Sequence, residues 1–431
     1  MLINFSVSNY LSFAKTVKLD MTPTPLKENR DTHIQKVDDK LELLKGSVIY
    51  GANASGKSNL LKAVNFLKEL VIYSLDDNEW EIDKFAFDIK YKNLPSLFEI
   101  EIAIDNEEYR FGCEINSNEI IKEWLFRTKA NKNTEDKEPL YTRDKQLIAC
   151  SNDFKEGHSL DLKTRPNTLF LTVCAKFNGI ISTKIFNWFE NNFDYADANR
   201  FSPNYYDAAA LKADESIKRA VSMMLKQADV QIEDIKYEKN KDLKTNMDKL
   251  SQIVMKDNKG RYKSNINELL LFNTILTLHK KYNDSRLLSN EMCELPMYKE
   301  SEGTRKLFGM AFDLMHTIGS DKTLLIDEWD SKIHPLVSKN IIEFFMKNAQ
   351  SKSQIIFTTH DTSLMTINLF RRDQIWFTEK NQYGATDLYS LSDFKIRNDA
   401  AYGRNYILGK YGAIPFIGDF NSLLLNGKNN E

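Results

Sequence analysis

Three features of the sequence predict an α/β fold. An apolar run, Gly46–Tyr50, ends in a glycine-rich turn and is followed by Leu60, Leu61, Val64, Phe66 and Leu67 at helical spacing. Two further apolar runs, 323–326 and 354–358, flank an amphipathic segment at 336–348, the pattern of a βαβ unit in a parallel sheet. Residues 97–126 instead alternate apolar and polar side chains, which predicts an antiparallel β subdomain.

Taken in order, strand-like stretches at 2–7 and 16–21 open the chain, and the buried strand at Gly46–Tyr50 feeds the glycine turn and its helix. Segments 98–104, 109–115 and 120–126 are separated by Asp105-Asn106 and Asn116-Ser117-Asn118, so they form a meander. Residues 127–165 are polar and charged and are expected as a loop with a small hairpin. Helices are expected over 168–194 and over 206–228, where Ile217, Val221, Met224 and Ala228 recur three and four residues apart. The most apolar helical stretch is 269–278. Segments 266–279 and 307–318 flank a short piece ending in Ser301-Glu302-Gly303-Thr304. Residues 375–378 and 387–391 make a last hairpin around Gly384, and the polar tail 426–431 is expected to be disordered. The chain divides into 1–165, which carries the glycine turn and the β subdomain; 166–290, a helical insertion; and 291–431, which carries Ser301-Glu302-Gly303-Thr304 and the last strands, the first and last parts being, with the resemblance given below, the two halves of one head and the middle part its arm.

Composition limits the functional classes. With 431 residues, 42% hydrophobic and 28% charged, 16 Gly and 9 Pro, the chain is that of a folded protein. The net charge of −2 excludes a global basic field for nucleic acid. Cys113, Cys150, Cys174 and Cys293 are scattered, which fits neither a thiolate zinc site nor a redox dithiol and is expected of reduced thiols. The N-terminus lacks a signal-peptide pattern and no apolar run reaches the roughly 18 residues of a membrane span, so a cytoplasmic protein is expected.

Chemistry is concentrated in a few short motifs. Gly51-Ala52-Asn53-Ala54-Ser55-Gly56-Lys57-Ser58 matches G-x-x-x-x-G-K-[ST] between a strand and a helix, with Asn59 just beyond. In such a P-loop, backbone N–H groups converge on phosphates at a helix N-terminus, Lys57 reaches the β- and γ-phosphates, and Ser58 ligates Mg²⁺. Thr323-Leu324-Leu325-Ile326-Asp327-Glu328 is a buried strand ending in two carboxylates. Asp327 is placed to orient the Mg²⁺ shell and Glu328 to polarise water. After the next strand, Thr359-His360-Asp361 offers a neutral imidazole to a γ-phosphate. Ser301-Glu302-Gly303-Thr304 precedes an amphipathic helix and would alone be read as an ordinary helix cap or a second phosphate site.

The order of these elements resembles ABC-type ATPases of the SMC, RecF and OLD kind. The resemblance implies an ABC-type P-loop head that dimerises around ATP, with Ser301, Gly303 and Thr304 as the signature that closes the partner's nucleotide. It implies a D-loop at Trp329-Asp330-Ser331-Lys332-Ile333-His334-Pro335 and a switch histidine at His360. A narrower resemblance, to the AbiL/RloA and PARIS (AriA) ATPases of bacterial abortive-infection antiphage systems, is carried by Asn9-Tyr10-Leu11-Ser12-Phe13, by the signature and by Gly409-Lys410-Tyr411-Gly412-Ala413-Ile414-Pro415. It implies a slow, partner-regulated ATPase, a homodimer or higher homo-oligomer, that senses a phage trigger protein and controls a separate toxic effector, a Toprim-like or RloB-like nuclease.

The sequence departs from that pattern twice. Leu11 stands where many relatives carry a basic residue, and no glutamine occurs between Ser58 and Leu140, so the usual Q-loop Mg²⁺ contact is replaced or hydrolysis is slow. The 236–264 stretch holds nine basic residues against four acids, a local net of +5, and is either a solvated face or a weak nucleic-acid contact. It lacks the heptads of a long coiled coil. Asp373, Glu379, Asp387, Asp393 and Asp399 form no compact metal cluster, so a nuclease within the chain is not expected. The alternatives are a RecF-like DNA-repair ATPase and a scaffold that binds ATP without turnover.

Overall fold

The computed structural model describes residues 1–76, 79–128, 138–196, 214–228, 231–237, 275–286, 288–347, 352–397, 400–415 and 418. β1 (Leu2–Ser8) and β2 (Val17–Asp20) pair antiparallel, joined by the turn that carries Asn9–Phe13. A single turn, α1 (Arg30–His33), and the hairpin β3 (Ile34–Lys36) and β4 (Glu42–Leu44) lead to β5 (Gly46–Tyr50), which is buried along its whole length. The helix α2 (Lys57–Tyr73) follows, and Leu60, Leu61, Val64, Leu67, Leu70 and Val71 line its buried face at helical spacing.

The expected meander is β6 (Ser96–Ile104), β7 (Glu107–Asn116) and β8 (Glu119–Thr128), extended by the hairpin of β9 (Glu138–Asp144) and β10 (Leu147–Cys150). Asp105 and Asn106 both take positive φ, 49° and 64°, between the paired residues Ile104 and Glu107. That is the two-residue hairpin geometry whose twist suits paired strands, and Asp and Asn tolerate it. The resulting antiparallel sheet runs β10-β9-β8-β7-β6-β1-β2. Its Phe98, Ile100, Phe111 and Ile115 share one core with α2, α3 (Phe170–Lys176) and α4 (Ile180–Asn191).

Next come β11 (Phe193–Ala196), α5 (Glu215–Gln227), the antiparallel sheet of β12 (Asp234–Tyr237), β13 (Ile275–Tyr282) and β14 (Leu288–Pro296), and the helix α6 (Glu302–Ser320). The βαβ unit is β15 (Thr323–Ile326), α7 (Pro335–Lys347) and β16 (Gln354–Thr358). The hairpin β17 (Ile375–Lys380) and β18 (Thr386–Ser390) precedes the short helix α8 (Tyr402–Ile407). These strands build the second sheet in the order β11-β15-β16-β5-β17-β18, parallel except for the last pair. Ile49, Leu325 and Ile356 face the core shared with α2, whereas Val48, Tyr50, Leu324, Ile326, Ile355 and Phe357 face α6 and α7. Burial on both faces explains why these strands read as continuous apolar runs.

Two readings are corrected. The helical expectation over 168–194 holds for α3 and α4, but Phe193 already begins β11, which a four-residue segment acquires by pairing with β15 rather than by any period of its own. The stretch read as helical at 269–278 is strand from Ile275, because Ile275, Leu276 and Thr277 are buried with ladders to β12 and β14 on both sides. The 166–290 segment therefore contains strands as well as helices. Residues 206–213, 238–264, 266–274 and the tail 426–431 lie outside the described residues.

A buried ionic joint ties the antiparallel sheet to the helices. Glu123, fully buried in β8, accepts hydrogen bonds from the Tyr141 hydroxyl (2.7 Å), the Arg143 guanidinium (3.3 Å) and the backbone N–H groups of Phe170 (2.8 Å) and Leu171 (2.9 Å) at the start of α3. Replacing Glu123 with Ala strands a buried guanidinium and two helix N–H groups, so a loss of about 3–5 kcal/mol in urea unfolding is expected.

Candidate functional site

The P-loop is shaped by residues that only a tight turn requires. A Cβ on Gly51 would lie 2.5 Å from Ser55 Oγ and from the Thr378 carbonyl, and Gly56 has φ 113° and abuts Thr386 and Ser12. Ala54 takes a left-handed φ of 59°. Gly56 caps α2 without a side-chain acceptor, so the first N–H groups of the helix are left for a ligand. From behind, Ser55 Oγ bonds Thr378 Oγ1 (2.7 Å), and Thr386 Oγ1 lies 2.7 Å from the Ser55 carbonyl and 2.8 Å from Ser12 Oγ. Ser12 also accepts from Asn59 Nδ2 at 2.8 Å. The opening turn thus meets the loop through Ser12, while Leu11 adopts φ 50° and donates its N–H to the Asp83 carbonyl at 2.6 Å.

The two residues expected at the metal are adjacent: Ser58 Oγ donates to Asp327 Oδ1 at 3.0 Å. The same oxygen accepts from Thr358 Oγ1 at 2.6 Å. Thr358 is a site residue that the sequence reading missed. Its signal was its place at the end of β16, where the parallel register sets Ile326 opposite Phe357 and so brings Asp327 and Thr358 level. Glu328, exposed at the strand end, has φ 52° and donates its backbone N–H to Thr358 Oγ1 at 2.8 Å. A left-handed non-glycine residue is strained and is held only where its surroundings impose it.

Lys57 is buried and curls over the loop, donating to the carbonyls of Gly51 (2.9 Å) and Ala52 (3.1 Å). Burial lowers its ammonium to about 8, against the pull of Asp327, Asp330 and Glu328. Partial burial, followed by the charge of Lys57, also lowers the His360 imidazole, which is therefore neutral at pH 7. Asp330 was named within the D-loop without a role. Its Oδ1 accepts from Thr359 Oγ1 (2.7 Å) and from the His360 N–H (3.3 Å), so it joins the 329–335 loop to His360.

The signature forms a second cluster. Ser301 caps α6, its Oγ accepting from the Thr304 N–H at 3.1 Å and bonding Thr304 Oγ1 at 2.8 Å. A Cβ on Gly303 would fall 2.8 Å from the Lys332 carbonyl, and Glu302 pairs with Lys332 at 2.7 Å, so the signature rests on the D-loop of its own chain. Asn53 and Ala54 sit exposed at the rim of the P-loop.

Three of the other candidates have structural partners, while Asp387 stands exposed in β18. Asp373 binds Arg371 and Thr24, Glu379 accepts from Tyr389, and Asp393 accepts from the Ser390 N–H; Asp399 lies outside the described residues. Among the described residues no group of three His, Cys, Asp or Glu side chains could hold a metal ion, and no helix is long and apolar enough to cross a membrane. The four cysteines are free thiols, and burial raises Cys113 and pushes Cys150 up to about 11.

An anion at the loop must meet a charged Lys57. Lys57→Ala is expected to weaken ATP binding at least about tenfold, on the order of 1.4 kcal/mol. Because Lys57 loses its proton above about pH 8 in the free protein, ATP binding there must take a proton up. The affinity read by calorimetry should accordingly fall with rising pH, by up to about tenfold per unit. The Ala variant should lose that slope.

Comparison with solved structures finds many matches, SMC heads among them, at low identity. The SMC head domain of Thermotoga maritima aligns with a TM-score of 0.41 at 9% identity, covering 90% of this chain and 98% of that one. An Smc head bound to the C-terminal winged-helix domain of ScpA aligns at 0.41 and 13%, covering 90% and 97%. An Smc head from Pyrococcus furiosus with an extended coiled coil, bound to the C-terminal domain of ScpA, aligns at 0.37 and 14%, covering 90% and 96%. No curated protein matches the chain in sequence. A family model does match, over residues 47–366, from the P-loop strand to just beyond His360. With the P-loop, the Asp-Glu strand end and the signature all inside that match, the chain belongs to the family described as "AAA domain, putative AbiEii toxin, Type IV TA system".

Proposed function

We propose that the chain is an Mg²⁺-dependent ATPase switch of an antiphage abortive-infection system, which dimerises around ATP and controls a separate toxic effector. The observation that carries the ATPase reading is the Ser58–Asp327–Thr358 cluster, within reach of the charge of Lys57 and with Glu328 exposed at its edge. Ser58 and Asp327 offer a hydroxyl and a carboxylate oxygen, the hard donors that Mg²⁺ prefers, and they would hold it. Such an ion would supply positive charge against the phosphates. Lys57 exchanges its two carbonyl partners for phosphate oxygens, and the N-terminal N–H groups of α2 bind the phosphate chain. Glu328 accepts the proton of the attacking water, and His360 donates a hydrogen bond to the γ-phosphate.

Ser301 and Gly303 close the nucleotide of a partner protomer, so each site is shared across a two-fold axis. The family description, with its reference to a toxin–antitoxin system, supports the defence setting. Of the acids weighed as nuclease candidates, Asp373, Glu379 and Asp393 serve structural bonds and Asp387 stands exposed in β18 apart from any metal-binding group among the described residues, which favours an effector on a different chain.

Glu328→Gln keeps the shape and loses the base. ATP should still bind, while phosphate release falls by roughly two to four orders of magnitude. Turnover near wild type would assign the base to another residue. For the shared site, Lys57→Ala and Ser301→Arg proteins should each be inactive. Mixed at equal concentration with free exchange, they should regain up to roughly a quarter of wild-type activity, because one site of each mixed dimer is intact. Full turnover by Ser301→Arg alone would refute the shared site.

A further inference from the structure

Lys306 lies one turn into α6, five residues after the signature serine, and is almost completely buried, with 4% of its surface exposed. A lysine buried to this degree is unusual unless its ammonium is partnered. Its Nζ donates to the backbone carbonyl of Glu328 at 2.7 Å. The carbonyl it grips is that of the left-handed residue Glu328, and the same carbonyl accepts the Ser331 N–H at 3.2 Å. On the other side, the Glu328 N–H is fixed by Thr358 Oγ1, which also binds Asp327. Glu328 is thus clamped from two elements, the neighbouring strand and the signature helix.

The rest of the signature is built into α6: Ser301 caps it, and Gly303 and Glu302 lean on Lys332 in the middle of the 329–335 loop. A shift of the signature toward or away from a ligand therefore reaches the Glu328 carbonyl directly through the Lys306 ammonium, beside the contacts that Gly303 and Glu302 make with Lys332. We propose that Lys306 is a positioning residue for hydrolysis, which aims Glu328 and makes that aim depend on the seat of the signature helix. The proposal rests on the shared-site reading. The signature of one protomer closes the partner's nucleotide, whereas Glu328 serves its own, so Lys306 couples occupancy of one site to turnover at the other. A neutral donor could hold a carbonyl as well. The ammonium also faces the charges of Asp330, Glu328 and Asp327, and burial lowers it to about 8, so it remains a cation at neutral pH.

The test is phosphate release as a function of ATP concentration, with equilibrium ATP binding and thermal unfolding, on full-length wild type, Lys306→Met and Lys306→Arg. Met keeps the length and loses the donor. Its kcat should fall about tenfold to a hundredfold while ATP affinity and KM stay within about twofold and the fold stays intact. Arg keeps cation and donors and should recover most of kcat. The wild-type rate should rise sigmoidally with ATP and that of Met hyperbolically. Wild-type kcat in the Met variant overturns the proposal, as does a parallel loss of kcat, ATP affinity and thermal stability that Arg does not repair. A hyperbolic wild-type curve overturns the coupling. If Met does not fold, Lys306→Leu, which also lacks a donor, decides on the same readouts. Wild type that binds ATP and releases no phosphate refutes the ATPase reading itself, an outcome distinct from an active wild type with an equally active Met variant.

Discussion

The P-loop end of the molecule depends on the register of three parallel strands. β15 pairs with β16 so that Ile326 faces Phe357, and β16 pairs with β5 so that Thr358 faces Ile49. The three strands therefore finish level, and the first residues beyond them are the P-loop, Asp327-Glu328 and Thr359-His360. Because side chains alternate from face to face, a slip of one residue would send each apolar row into the opposite core, against side chains it is not packed to fit. The register that satisfies the core is thus the same one that sets Asp327 beside Ser58 and Thr358. The Trp329 N–H continues the lock by donating to the Thr358 carbonyl at 2.9 Å, so the D-loop leaves the sheet in a fixed direction.

Around this edge the charges are balanced at short range. Asp327, Glu328 and Asp330 gather where a polyphosphate would bind, and they would repel it in isolation. Two buried lysines answer them, Lys57 from α2 and Lys306 from α6, both lowered by burial and both raised by these same acids. Each lysine holds backbone carbonyls, Gly51 and Ala52 in one case and Glu328 in the other. The cations therefore shape the loops that carry the chemistry as well as setting the local potential, and a change in one is felt by the geometry of the other.

The antiparallel sheet contributes support. Its outermost turn, between β1 and β2, delivers Ser12 to Thr386 and Asn59, so the phosphate loop is braced by the strand that opens the chain and by the hairpin that comes last in the parallel sheet. Glu123 and Arg143 fasten the same sheet to α3, which packs with α2 in one core. Residues more than 300 positions apart in sequence thereby hold one loop in place.

By itself the sequence determined what is local. The P-loop, the apolar strand ending in Asp327-Glu328, the helix-capping Ser301 and the meander turns at Asp105-Asn106 could be read because each depends on backbone rules acting within a few residues: glycine's freedom, helix capping, the period of burial. Long periodic elements such as α2 and α6 were legible for the same reason. The tertiary structure decided what depends on partners distant in the chain. β11 and the first residues of β13 are strands because neighbouring strands pair with them, and four to eight residues carry too little pattern to say so. Thr358, Asp330 and Lys306 have ordinary-looking sequence surroundings; they matter because strand register and helix packing bring a hydroxyl, a carboxylate and an ammonium to within 2.6 to 2.7 Å of groups 22 to 31 residues away. Such contacts are set by the packing of whole elements, and no window of the chain records them.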